Sequence, residues 1–221
     1  MKVGTDAVLL GAWVNPLKAK TLLDIGTGTG IIAIMLAQKG IISIDAIDIN
    51  RDACIQAEEN VKTTPWSQNI SIYNVPLQEY ANEISQKYDL IVSNPPYFID
   101  ASKPDEHART MARHTDDSLS FDELLDGVQK LLAPKGRFCV ILPYNEGKLF
   151  MSKAISKGMF CNAQLHVKTK TDKTEKRTLM EFSRIKSSMK EATLVIQADD
   201  THYTPEYIDF TKEYYLDLKK R

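Results

Sequence analysis

A chain of 221 residues with 26% charged residues and a net charge of −1 is long enough to bury a sizeable core as one domain, and its overall charge balance advertises neither nucleic acid nor membrane as a partner. Three cysteines, Cys54, Cys139 and Cys161, are odd in number and fall inside expected elements, which suits the reduced, buried thiols of a cytoplasmic protein rather than a disulfide framework. No apolar run approaches the roughly 18 residues of a membrane span, and no signal-peptide pattern opens the chain.

In chain order, Thr5-Asp6 are helix-capping types and are followed by an apolar run to Val14, which predicts a helix over 5–14. A strand over 21–25, a glycine-rich turn Gly26-Thr27-Gly28-Thr29-Gly30 and a helix over 31–39 come next. A second strand, 42–47, ends at Asp48, and Asn50 can cap the following helix, whose Ala53, Ala57 and Val61 lie four apart on one face. Strands are expected over 70–75 and 88–93. Residues 99–118 are polar, with little periodicity, and read as a long loop of the kind that carries function.

An amphipathic helix over 121–132, stopped by Pro134 and Gly136, then leads to a strand over 137–142 and a helix over 145–157. The pattern changes after that. Runs 160–170 and 177–184 form a hairpin, 194–196 is a candidate short strand, and 205–221 has a helical rhythm before a basic end. Strands alternating with helices, closed by a hairpin, predict a single α/β domain over 1–221. Its sheet is Rossmann-like and mainly parallel, with about seven strands of which the last pair is antiparallel.

Asn94-Pro95-Pro96-Tyr97 ends the strand over 88–93, at the sheet edge where open α/β folds bind ligands. Consecutive prolines stiffen the backbone and lack N–H groups, so Pro95 can present its carbonyl outward, while Asn94 adds a side-chain amide oxygen. Two converging acceptors suit an NH₂ group, and Tyr97 or Phe98 can stack on a planar ring. Asn-Pro-Pro by itself also suits a plain loop breaker after a strand. Upstream, Asp24-Ile25-Gly26-Thr27-Gly28-Thr29-Gly30 lies between strand and helix, and Asp48 follows eighteen residues after Gly30. Such a carboxylate accepts from ribose hydroxyls, so the pattern describes a nucleoside cofactor across the sheet edge. The dinucleotide fingerprint requires glycine at position 31, where Ile31 stands, and the phosphate-binding Gly-x-x-x-x-Gly-Lys-Ser/Thr pattern is missing.

Acidic-x-Gly-x-Gly-x-Gly resembles motif I of S-adenosylmethionine-dependent methyltransferases, which implies that Gly26, Gly28 and Gly30 pack against that cofactor and that Asp24 helps place its amino-acid portion. Asn-Pro-Pro-Tyr resembles the motif of enzymes that methylate planar NH₂ groups. Within these, Met1-Lys2-Val3-Gly4-Thr5-Asp6 with Leu9-Leu10-Gly11-Ala12-Trp13 is similar to the opening segment of the bacterial tRNA1(Val) adenine-37 N6-methyltransferases. Ala112-Arg113-His114, Ile141-Leu142-Pro143 and Arg177-Thr178-Leu179-Met180-Glu181-Phe182 extend that likeness over nearly the whole chain. It implies Asn94, Pro95 and Tyr97 as catalytic residues, with Thr5, Asp24, Gly26, Gly28, Gly30, Asp48 and the Leu77 backbone around S-adenosylmethionine. Family members usually carry a Phe-, Lys- and Gln-rich segment before this opening, so the chain is expected to be truncated there. The position after strand three that is commonly acidic is Pro76, with Gln78 as a weaker substitute.

The implied partner is tRNA at an anticodon-loop adenine. Lys168, Lys170, Lys173, Lys176 and Arg177 against Asp172 and Glu175 make the hairpin locally +3 and a candidate phosphate contact. Lys103, Arg109 and Arg113 in the long loop and Lys219, Lys220 and Arg221 at the end add further basic groups; each patch reads equally well as solvated surface. His107, His114, His166 and His202 lack metal-ligand spacing with any cysteine pair, so no metal is expected. Trp13 and Trp66 are expected to be packing residues, although Trp13 can also wall a cofactor pocket. The expected state is a cytoplasmic monomer. The competing readings are a protein glutamine N5-methyltransferase and a non-catalytic module that binds S-adenosylmethionine or RNA.

Overall fold

In a computed structural model that describes residues 4–95 and 119–215, the apolar runs of the sequence become strands buried on both faces. Alternate residues of β1 (Thr21–Ile25) and β4 (Tyr88–Ser93) feed two separate cores: Leu22, Leu90 and Val92 pack on one side of the sheet, and Leu23, Ile25 and Ile91 on the other. The period-two pleat makes that division unavoidable, so a strand with helices on both faces is apolar throughout rather than alternating. Burial of each such side chain is worth roughly 1.5–3 kcal/mol, which explains why the central strands are the most apolar segments.

The sheet has eight strands. With β2 (Ser43–Asp48), β3 (Ile70–Asn74), β5 (Leu132–Pro143), β6 (Phe160–Lys168), β7 (Glu175–Ser183) and β8 (Lys190–Val195), the order is β3-β2-β1-β4-β5-β7-β6-β8. The first five are parallel, β7 is antiparallel to both β5 and β6, and β8 is parallel to β6. The expected count of seven falls one short because four of the six residues of β8 are exposed, so its apolar signal shows only near its end.

Helices α1 (Thr5–Trp13), α2 (Ile31–Gln38) and α7 (Pro205–Thr211), with the end of α3 (Arg51–Lys62), cover the first core; α4 (Leu77–Glu83), α5 (Phe121–Leu131) and α6 (Tyr144–Ser156) cover the second. Asn50 caps α3 by accepting from the Ala53 amide at 2.9 Å, as its residue type predicts. Gly4, not Thr5 or Asp6, holds the N-cap position of α1.

Helix α4 has no counterpart in the sequence reading. It is short, its buried residues are only Leu77, Tyr80 and Ala81, and Pro76, which suggests a break, instead occupies its N-cap. Helix α5 does not end on Pro134 and Gly136 either. Leu132 turns extended at once, and the chain enters β5 five residues before the strand expected at 137. The hairpin of β6 and β7 lies where the alternation places it. Among the described residues no helix is long and apolar enough to cross a membrane.

Candidate active site

The strand order reverses between β1 and β4, and at such a point the connections leave in opposite directions and open a crevice above the strand ends. Register makes the crevice concrete. Ile47, Ile25 and Ser93 are side by side on β2, β1 and β4, so the residues just beyond them, Asp48, Gly26 and Asn94, are brought to one edge. The Ser93 hydroxyl donates to the Ile25 carbonyl at 2.9 Å and stitches the two loops together at their base.

The glycine-rich turn is held from below. The Gly26 and Thr27 amides both donate to the Ile47 carbonyl, at 2.9 and 3.0 Å, which bends the chain back over β2. That bend puts Gly26 at φ 71° and Gly28 at φ 57°, the left-handed region where a side chain is strained. A Cβ on Gly26 would meet nothing within 4 Å, so its bareness leaves open space beside the backbone, the arrangement a closely approaching ligand requires. Gly30, at φ 78°, differs: a Cβ there would lie 3.3 Å from the Ala57 Cβ. It serves the packing of α2 against α3 and does not line the cavity.

Asp48 anchors the other rim. Its Oδ2 accepts from the Gly28 amide at 2.8 Å and its Oδ1 from the Asn50 amide at 2.8 Å. Each carboxylate oxygen has a second lone pair, so two acceptor sites remain for a ligand diol. Asp24 is fully buried beneath the turn and lines neither of the site's two cavities. Its Oδ2 accepts from the Thr27 hydroxyl at 2.7 Å, and Oδ1 has no hydrogen-bond partner of good geometry among the described residues. Burial pushes its pKa up to about 7, tempered by the Thr27 hydroxyl and increased by the nearby Asp48 charge. Asp24 therefore holds Thr27 and the turn from beneath.

Above these groups lies a cavity of about 750 Å³, within the range that holds cofactor-sized ligands. Gly26, Gly28, Asp48, Leu77, Asn94 and Pro95 line it; so do Ile49, Gln78 and Glu123, of which only Gln78 was noted from sequence. Glu123 carried a readable signal, the Ser120-x-x-Glu123 capping box, but that pattern marks a helix start and says nothing about what the helix faces. A second cavity, of about 460 Å³, is also lined by Asn94, together with Thr5, Lys176, Arg177, Gln197 and Tyr203 among others. Thr5 and Asn94 thus both line this second cavity, and Thr5 does not line the larger one. Arg177 donates to Asp6 Oδ2 at 2.8 Å and ties the start of α1 to β7.

Residues 3–146 match the family described as the methyltransferase small domain. The chain is 47% identical over 219 residues to the tRNA1(Val) (adenine(37)-N6)-methyltransferase of Trichodesmium erythraeum, covering 98% of this chain and 91% of that one. It is 45% identical to the enzyme of the same name from Bacteroides fragilis strain ATCC 25285, covering 99% and 92%. The chain belongs to this family of methyltransferases.

Solved structures of low identity share the methyltransferase fold. A predicted O-methyltransferase of Agrobacterium tumefaciens superposes with a TM-score of 0.72 at 14% identity, covering 94% of this chain and 96% of that one. M. capricolum TrmK, solved with S-adenosyl-homocysteine, gives 0.57 at 16% identity, covering 85% and 71%. In this methyltransferase Trp13 and Trp66 pack against the first core and line neither cavity. Tyr97, Phe98, Lys103, Arg109, Arg113 and the C-terminal Lys219, Lys220 and Arg221 lie outside the described residues.

Proposed function

We propose that the chain binds S-adenosylmethionine in the larger cavity and transfers its methyl group to N6 of an adenine in tRNA, A37 of the anticodon loop of tRNA1(Val). The observation that carries this reading is the position of Asn94, on the boundary shared by the two cavities. One cavity has the bare glycine turn and diol-accepting carboxylate that fit a nucleoside cofactor. The other opens toward basic and aromatic residues that suit a nucleotide.

S-adenosylmethionine supplies an electrophilic methyl on a sulfonium centre. Asn94 Oδ1 and the Pro95 carbonyl accept the two hydrogens of the adenine amine, which favours a pyramidal nitrogen and turns its lone pair toward the larger cavity. No strong base is needed at the nitrogen, because the methylated amine is acidic and gives up a proton to water or to these acceptors. Positioning and electrostatic stabilisation carry the rate. A stacked base cannot reach Asn94, so the nucleotide is everted at a cost of a few kcal/mol. A tRNA substrate and the free thiols of Cys54, Cys139 and Cys161 support a cytoplasmic location.

The test is incubation with S-adenosylmethionine and unmodified tRNA1(Val), followed by nucleoside mass spectrometry. N6-methyladenosine is expected from the native transcript and not from one with A37 replaced by guanine. Cofactor binding with no methyl in either RNA would overturn the reading, and incorporation into a protein glutamine amide would replace the acceptor while keeping the chemistry.

A further inference from the structure

Glu123 is a carboxylate in the larger cavity that serves the capping box of α5 and belongs to neither the glycine-turn nor the Asn-Pro-Pro-Tyr motif. Strand order says which part of a ligand it meets. With a ribose at Asp48 on β2 and the reacting methyl beside Asn94 on β4, the base of the nucleoside extends the opposite way, toward the loop after β3. That loop is Val75-Pro76, Leu77 and Gln78 open α4 directly behind it, and Glu123 lines the cavity next to Gln78. Neither Val75 nor Pro76 offers a side-chain acceptor.

Two hydrogen bonds hold the Glu123 carboxylate. The Ser120 amide donates to Oε2 at 2.8 Å as part of the capping box, and Gln78 Nε2 donates to Oε1 at 3.0 Å. The bonds from Ser120 and Gln78 keep the carboxyl below the usual glutamate range, so it is ionised at neutral pH. A carboxylate only accepts, so Gln78 must turn its NH₂ toward Glu123, while a lone pair on each Glu123 oxygen stays available. The helices beneath are in close contact: a Cβ on Gly127 would lie 2.6 Å from Leu77 Cδ2, and the bare glycine lets α4 settle against α5 and set the distance between Gln78 and Glu123.

We propose that Glu123, aimed by Gln78, accepts a hydrogen bond from the exocyclic amine of the cofactor's adenine and so selects an aminopurine over an oxopurine. This rests on the reading that the larger cavity holds S-adenosylmethionine. Hypoxanthine would set a carbonyl oxygen against the carboxylate and leave two acceptors opposed. A hydrogen bond to a charged group is worth about 1.5–3 kcal/mol, which corresponds to roughly ten- to a hundredfold in affinity.

Calorimetric titration of S-adenosylhomocysteine and S-inosylhomocysteine into the full chain tests this. The unaltered chain should prefer the adenine ligand by about tenfold or more. Glu123→Gln keeps the capping box, for which Gln serves as well as Glu, and should bring the preference to within about threefold. Gln78→Ala, a change to the positioning residue only, should give an intermediate ratio. An unaltered ratio in Glu123→Gln, or no preference in the unaltered chain, overturns the assignment of Glu123 and leaves the cofactor reading standing. Failure of the unaltered chain to bind either ligand overturns both.

Discussion

Asn94 lines both cavities, so its removal should separate binding from chemistry. Asn94→Ala is expected to lower turnover by about a hundredfold or more, as loss of one well-aimed electrostatic group does, and to leave S-adenosylhomocysteine affinity within about threefold. Single-turnover methylation beside calorimetry reads both quantities. Asp24 makes a different kind of prediction. Its folded pKa of about 7 stands above the unfolded value of 3.8, so between these limits the folded state binds more protons and stability falls as pH rises. The loss is at most about 1.4 kcal/mol per pH unit, and it disappears in Asp24→Asn. Urea unfolding of both proteins from pH 4 to 8 should show the two curves separating toward high pH, the unaltered protein losing stability that Asp24→Asn keeps; parallel curves would contradict the raised pKa.

At the scale of elements, α1 is fastened at both ends by residues far away in sequence. Lys39 Nζ donates to the Gly11, Ala12 and Val14 carbonyls at 2.8, 2.7 and 2.8 Å, closing the helix C-terminus, while Arg177 holds Asp6 at its start. Lys39→Met keeps the apolar stem and leaves these carbonyls open, so a loss of roughly 1.5–3 kcal/mol in denaturant unfolding is expected. Capping by distant side chains also explains why some element ends were not legible. Pro134 and Gly136 look like the stop for α5, yet Arg184 takes the Leu132, Ala133 and Gln129 carbonyls, so the helix needs no glycine cap. The strands were legible because Leu22-Leu23 and Leu90-Ile91-Val92 must be apolar on both faces, a requirement visible in any window of the chain.

For the whole molecule, charge placement revises the RNA contact. In sequence the hairpin is locally +3, but Asp200 pairs with Lys170 and Asp6 with Arg177, two carboxylates from distant segments that bring the cluster to +1. Lys168 pairs with Glu175 at 3.2 Å, and Lys173 sits 3.6 Å from Asp172. Lys176, exposed at the second cavity, is the hairpin cation most available to phosphate. Lys176→Ala should reduce the slope of log affinity for tRNA against log salt by about one, and Lys168→Ala should leave it nearly unchanged. Equal slopes for the two variants would return the hairpin to solvated surface. Local sequence was enough to read the parallel sheet, the glycine turn and the positions of Asp48 and Asn94-Pro95 at strand ends, because backbone conformation and strand burial depend on neighbours in the chain. Long-range packing is what sets Gly30 between helices, keeps Asp24 beneath the turn, brings Thr5 and Asn94 to one second cavity and seats Glu123 beside Gln78 in the first. Those outcomes depend on which surfaces meet when strands out of sequence order lie side by side, and local periodicity carries no record of that order.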